Sequence, residues 1–75
     1  MWTIQSAEIE GNNCHVTLAK DTAGTVTTEL LTWGRNSGET NAQIKQRVKG
    51  AVKEALAARN LTKSSKLTIP FSELQ

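Results

Sequence analysis

The stretch Thr40 to Leu61 constrains the fold more than any other, because its apolar residues recur at helical spacing. Ile44, Val48, Ala51, Val52, Ala55 and Leu56 stand at i, i+4, i+7, i+8, i+11 and i+12 and line one stripe, the pattern of a surface helix with a single core-facing side. Thr40 followed by Gln43 fits a capping box, in which the hydroxyl accepts from the third helical amide and the Gln43 side chain reaches back to the cap's own N–H. Ser37 competes for the same role. At the far end Asn60 suits a left-handed residue just past the helix, which sets Leu61 on Leu56 in a Schellman closure. A helix with one apolar stripe needs a second layer to cover it, and the other residues supply strands.

The first strand begins with Trp2 and Ile4 on one face and then changes phase to Ala7 and Ile9. A pleated strand alternates strictly unless a residue is inserted, so a bulge is expected near Gln5 and Ser6. Gly11, Asn12 and Asn13 tolerate positive φ and mark a hairpin turn. The second strand places Cys14, Val16 and Leu18 on one face and His15, Thr17 and Ala19 on the other. Asp21, Thr22, Ala23 and Gly24 form the next turn. The third strand, Thr25 to Trp33, is rich in β-branched residues; its inward face is expected to carry Val26, Thr28 and Leu30. Leu31 and Trp33 then fall on the opposite face unless a second bulge rotates them inward. Gly34 to Gly38 connects to the helix, Thr62 to Ser65 links onward, and Leu67, Ile69 and Phe71 alternate as a last strand that Pro70 confines to an edge or ends.

These elements amount to one α+β domain over residues 1–75: a four-stranded, mainly antiparallel sheet made of a three-strand meander and a final edge strand, with one long helix packed on one face. A right-handed crossover that brings the last strand parallel to the first gives the order 3-2-1-4. A chain of 75 residues buries only about 60% of the surface its unfolded form exposes, so oligomerisation would add stability that one small core lacks. No apolar run approaches the roughly 18 residues of a membrane span, and no basic segment leads into an apolar one. No membrane association is expected. The single cysteine cannot form an internal disulfide, which makes the cytoplasm the expected compartment.

Net charge is only +2, but residues 1–40 hold Lys20 and Arg35 against Glu8, Glu10, Asp21, Glu29 and Glu39, whereas residues 41–75 hold seven Lys and Arg against Glu54 and Glu73. The strand half is acidic and the helical half basic.

Catalytic chemistry finds little support in the residue types. Cys14 and His15 are neighbours on a strand and point to opposite faces, so they make no thiolate–imidazole pair. One Cys and one His fall short of the three or four ligands of a zinc site. Glu8 and Glu10 share a face, but with no other polar machinery they read as a solvated edge that deters strand pairing. The Gly34–Gly38 segment precedes a helix N-terminus, where anions are attracted, yet it lacks the spacing of a P-loop or a dinucleotide site and reads as a connector. No enzyme activity, metal, cofactor or small-molecule substrate is expected.

Two surfaces stand above this background. Lys45, Lys49 and Lys53 stand at i, i+4 and i+8 on one flank of the helix, with Arg47 on the other. Like charges at this spacing cost roughly 0.2–0.5 kcal/mol per pair, a cost that contact with an anion would offset. Leu31 and Trp33, joined by Ala19, are expected on the open face of the sheet as a protein-contact patch. The expected function is a non-catalytic protein-binding or assembly module, a homo-oligomer or the binder of another protein, acting through the Leu31 and Trp33 face or an exposed sheet edge. A nucleic-acid-binding protein using the basic flank is the alternative. So short a chain, with its first strand at residue 2, fits the economy of a phage or mobile-element protein, as a virion component or an accessory protein in the host cytoplasm.

Overall fold

The computed structural model describes residues 1–60 and 68–74. Strands β1 (Trp2–Glu10), β2 (Asn13–Thr22) and β3 (Thr25–Gly34) precede helix α1 (Asn41–Asn60) and strand β4 (Phe71–Leu74). They form a sheet in the order β3-β2-β1-β4, with β1 antiparallel to β2, β2 antiparallel to β3, and β4 parallel to β1. This is the expected α+β architecture and strand order.

The bulge in β1 lies where the phase change requires it. The pairing with β2 shifts between Ile4, opposite Leu18, and Ser6, opposite Thr17. Gln5 is the extra residue, and it lets Trp2, Ile4, Ala7 and Ile9 all face the helix despite their mixed parity. Gly11, at φ 59°, turns the chain into β2. The following hairpin is tighter than expected. Asp21 and Thr22 remain in the ladder opposite Val26 and Thr25, so only Ala23 and Gly24, at φ 52° and 83°, make the turn, as in the primed turns that match strand twist.

Thr40 caps α1 as expected. The Gln43 N–H donates to Thr40 Oγ1 at 3.2 Å and the Thr40 N–H donates to Gln43 Oε1 at 2.9 Å. Ile44, Val48, Val52 and Leu56 are the buried stripe, meeting Ala7, Ile9, Cys14, Val16 and Leu18 from the sheet. Each fully buried aliphatic side chain of this kind contributes roughly 1.5–3 kcal/mol. Asn60 departs from expectation: it is the last helical residue and Ala23 is the only described non-glycine with positive φ, so Asn60 is not a left-handed cap. The packing of Leu61 on Leu56, the polar link Thr62–Ser65 and Leu67 lie outside the described residues.

Strand β4 starts later than alternation suggested. Pro70 precedes it, and the Phe71 N–H donates to the Ile69 carbonyl at 2.9 Å across that proline, an i to i+2 turn in which the missing proline N–H costs nothing. The strand then runs for four residues at the sheet edge.

Candidate functional site

The two faces of the sheet differ sharply, and β3 decides how. Its register with β2 is unbroken from Asn13 opposite Gly34 to Thr22 opposite Thr25. Trp33 is therefore opposite the buried Cys14 and Leu31 opposite the buried Val16, on the helix side, where both pack against the core. This corrects the expected placement of Leu31 and Trp33 on the open face, and no second bulge is needed to achieve it. A hairpin loop of even length pairs even-numbered residues of one strand with odd-numbered residues of the next, so Val26, Thr28 and Leu30 point away from the helix. Ala19 does lie on the open face, opposite Thr28, but half-buried and apart from the two residues it was grouped with.

The open face thus carries His15, Thr17 and Ala19 from β2 beside Val26, Thr28, Leu30 and Thr32 from β3. Val26 and Leu30 are 57% and 61% exposed. They stand four residues apart on the same face of the same strand, with Thr28 between them. His15 Nδ1 hydrogen-bonds Thr32 Oγ1 at 3.0 Å, which ties β3 to β2 on this side. Sequence reasoning missed Val26 and Leu30 as surface residues because it assigned them to the core; the loop parity could have found them.

β3 is also the free edge of the sheet. It runs for ten residues with no proline, no lysine and no break in its register. These are the usual devices that blunt an edge. Its one charge, Glu29, points inward, but Arg59 of α1 neutralises it from Nε and a terminal nitrogen at 3.1 and 2.7 Å. From Lys20 to Thr28 every residue is exposed, so the distal end of the β2–β3 hairpin projects beyond the helix; the molecule measures 42 × 24 × 16 Å. Glu8 and Glu10, by contrast, guard no edge, because β1 lies inside the sheet between β2 and β4.

The basic residues of the helix are used in folding more than the sequence suggested. Lys45 pairs with Glu73 of β4 and lies 5.8 Å from the Phe71 ring centroid. Arg47 binds Glu39 from Nε at 3.1 Å and a terminal nitrogen at 2.7 Å, and donates to the Gly34 carbonyl at 2.6 Å. Hydrogen bonds from Arg47 and from the Asn36 N–H hold the Glu39 carboxyl at a pKa of about 2, and Glu73 is lowered by Lys45 and Asn41. The acidic strands and basic helix of the sequence thus meet within one molecule. Lys49 and Lys53 remain exposed. Lys45 and Lys49 line a cavity of about 240 Å³ with Gln46, Thr68, Ile69 and Phe71, smaller than the roughly 300–1,000 Å³ usual for ligand pockets.

The connector before α1 is laced by Arg35, which donates to the carbonyls of Glu39 at 2.9 Å and Gly11 at 3.1 Å and to Asn41 Oδ1 at 2.5 Å. That is the geometry of a folded junction. Cys14 is fully buried, and burial raises its thiol pKa against the lowering effect of Arg47 and Arg35; a thiol in that setting is a core residue. His15 lies on the other side of the sheet. Among the described residues no three His, Cys, Asp or Glu side chains cluster as metal ligands, and no helix is long and apolar enough to cross a membrane. Compared with protein-family models, with curated proteins and with solved structures, the chain finds no match.

Proposed function

We propose that the chain is a non-catalytic protein-binding and assembly module that works by strand addition at β3. One observation carries this reading: a ten-residue edge strand with no proline, lysine or bulge, its one inward charge paired with Arg59, bearing the exposed Val26 and Leu30. Backbone N–H and C=O groups along such an edge give affinity to any extended partner strand, and alternate side chains give register. The location of contact moves from Leu31 and Trp33, which hold the core rim, to the strand edge that carries them. A small assembly piece of this kind suits a phage or mobile-element virion or accessory protein.

The test is solution mass across protein concentration at low and high salt, with amide hydrogen exchange read along β3. Association that grows with concentration, changes little with salt and slows exchange at β3 is the expected result. A strict monomer that binds duplex or single-stranded nucleic acid, with an affinity falling steeply as salt rises, overturns it in favour of the exposed Lys49 and Lys53.

A further inference from the structure

Building on the strand-addition reading, we infer that the strand added at β3 is β3 of a second copy of the same chain, antiparallel, with the two-fold axis passing through Thr28. The spacing of the exposed side chains selects this register. An axis at Thr28 sets Val26 opposite Leu30 of the second copy and Leu30 opposite Val26, so the two large apolar side chains that β3 exposes cover each other twice over. Thr28 meets its own copy between them, and cross-strand threonine pairs are favourable. On the helix side the same register puts Glu29 opposite Thr27 of the second copy. Moving the axis by one residue to Glu29 would instead set two carboxylates face to face, a destabilising pair. Each Glu29 stays matched to Arg59 of its own helix.

The geometry also limits the assembly to two chains. A two-fold pairing of β3 with β3 uses the same edge on both copies and closes on itself. The opposite edge, β4, is only four residues long and follows directly on Pro70, which leaves a poor template for a further strand. The product is a continuous eight-stranded sheet with β4 at each end and a helix from each copy on the same face. The projecting hairpin end of each copy, exposed on both faces when alone, lies along the core-proximal half of the other copy's β3, with Thr25 opposite Leu31.

Thr28→Cys tests the axis directly, because directly opposed residues in an antiparallel pair have Cα atoms about 4.5–5.5 Å apart, within disulfide range. Mild oxidation should convert Thr28→Cys to a covalent dimer at least tenfold faster than Ser6→Cys, an exposed control on inner strand β1; wild type, whose one cysteine is buried, should not cross-link. Leu30→Lys should raise the dimer dissociation constant at least tenfold in sedimentation while leaving the circular dichroism of the dilute protein unchanged. If the chain associates but Thr28→Cys cross-links no faster than Ser6→Cys and Leu30→Lys has no effect, this register and partner are wrong while assembly itself stands. A wild-type monomer at every concentration overturns the second copy as the added strand and, with it, the assembly half of the strand-addition reading.

Discussion

The side chain of Asn60, the last residue of α1, grips the backbone of Trp2, the first residue of β1. The Trp2 N–H donates to Asn60 Oδ1 at 2.7 Å and Asn60 Nδ2 donates to the Trp2 carbonyl at 2.9 Å. A primary amide has the same donor and acceptor as a peptide group, so Asn60 acts as one rung beside the start of β1 on the side where β4 pairs only from Ala7 onward. Arg59, one residue earlier, lies 5.8 Å from the Trp2 ring centroid and binds Glu29 on β3. Two consecutive residues at the helix end therefore hold both outer strands of the meander, β1 at its start and β3 at its middle.

Replacing Asn60 with Ala should cost about 1–3 kcal/mol in urea unfolding, since it strands a half-buried N–H and carbonyl on Trp2. Asn60→Asp keeps the acceptor but replaces the donor with an acceptor-only oxygen that faces the Trp2 carbonyl, so it should not restore stability. Wild-type midpoints in both variants would remove this clasp from the account of the fold.

The phase of β3 makes a prediction of opposite effects for neighbours. Trp33→Ala should cost about 2–3 kcal/mol, below the 3–5 typical of a fully buried aromatic because Trp33 is only half-buried. Leu30→Thr, on the exposed face, should change stability by no more than about 0.5 kcal/mol. The comparison belongs in dilute protein, where association contributes nothing. A larger loss for Leu30→Thr than for Trp33→Ala would contradict the observed register.

How far the sequence could be read follows from how local each feature is. The capping box at Thr40 and Gln43, the bulge at Gln5 and the stripe from Ile44 to Leu56 depend on residues a few positions apart, and each was legible. The orientation of β3 was legible in principle, from the even length of the loop ending at Gly24, but the β-branched pattern gave no net preference: Val26 and Leu30 compete with Leu31 and Trp33 for the same core. The partners of Asn60, Lys45, Arg47 and Arg59 were not legible. Asn60 and Trp2 are separated by 58 residues, and only the folded crossover brings them together. For the same reason the lysine flank looked freer for anions than it is, because Glu73 reaches Lys45 only once β4 lies beside β1.

Glu39 should make stability depend on acid pH. Its carboxyl is held at about 2 in the folded chain by Arg47 and the Asn36 N–H, below the ordinary range it regains on unfolding. A group whose folded pKa is depressed contributes its full stabilisation above the unfolded pKa and loses it as pH falls toward the folded value. Glu73 acts in the same direction. Denaturant midpoints of wild type and Glu39→Gln should therefore differ most near neutral pH and converge as pH drops from about 5 toward 2. A gap that stays constant over that range would mean that the ionised carboxylate adds nothing.

The turn that sets the phase of β3 contains its own strain. Ala23 and Gly24 both have positive φ, at 52° and 83°, and for a residue with a Cβ that region costs roughly 1–2 kcal/mol. Asn tolerates it better, and Asn-Gly is the preferred pair in this two-residue turn. Ala23→Asn should raise stability by about 0.5–1 kcal/mol in urea unfolding. Gly24→Ala should lower it by about 1–2 kcal/mol; a Cβ there meets nothing within 4 Å, so the loss is the backbone's alone. The two substitutions lie at the tip of the hairpin, away from the core and from Thr28, and neither should alter the cross-linking register at Thr28. A stabilised Ala23→Asn hairpin that lost that register would show that the turn, not the strand edge, sets how two copies meet.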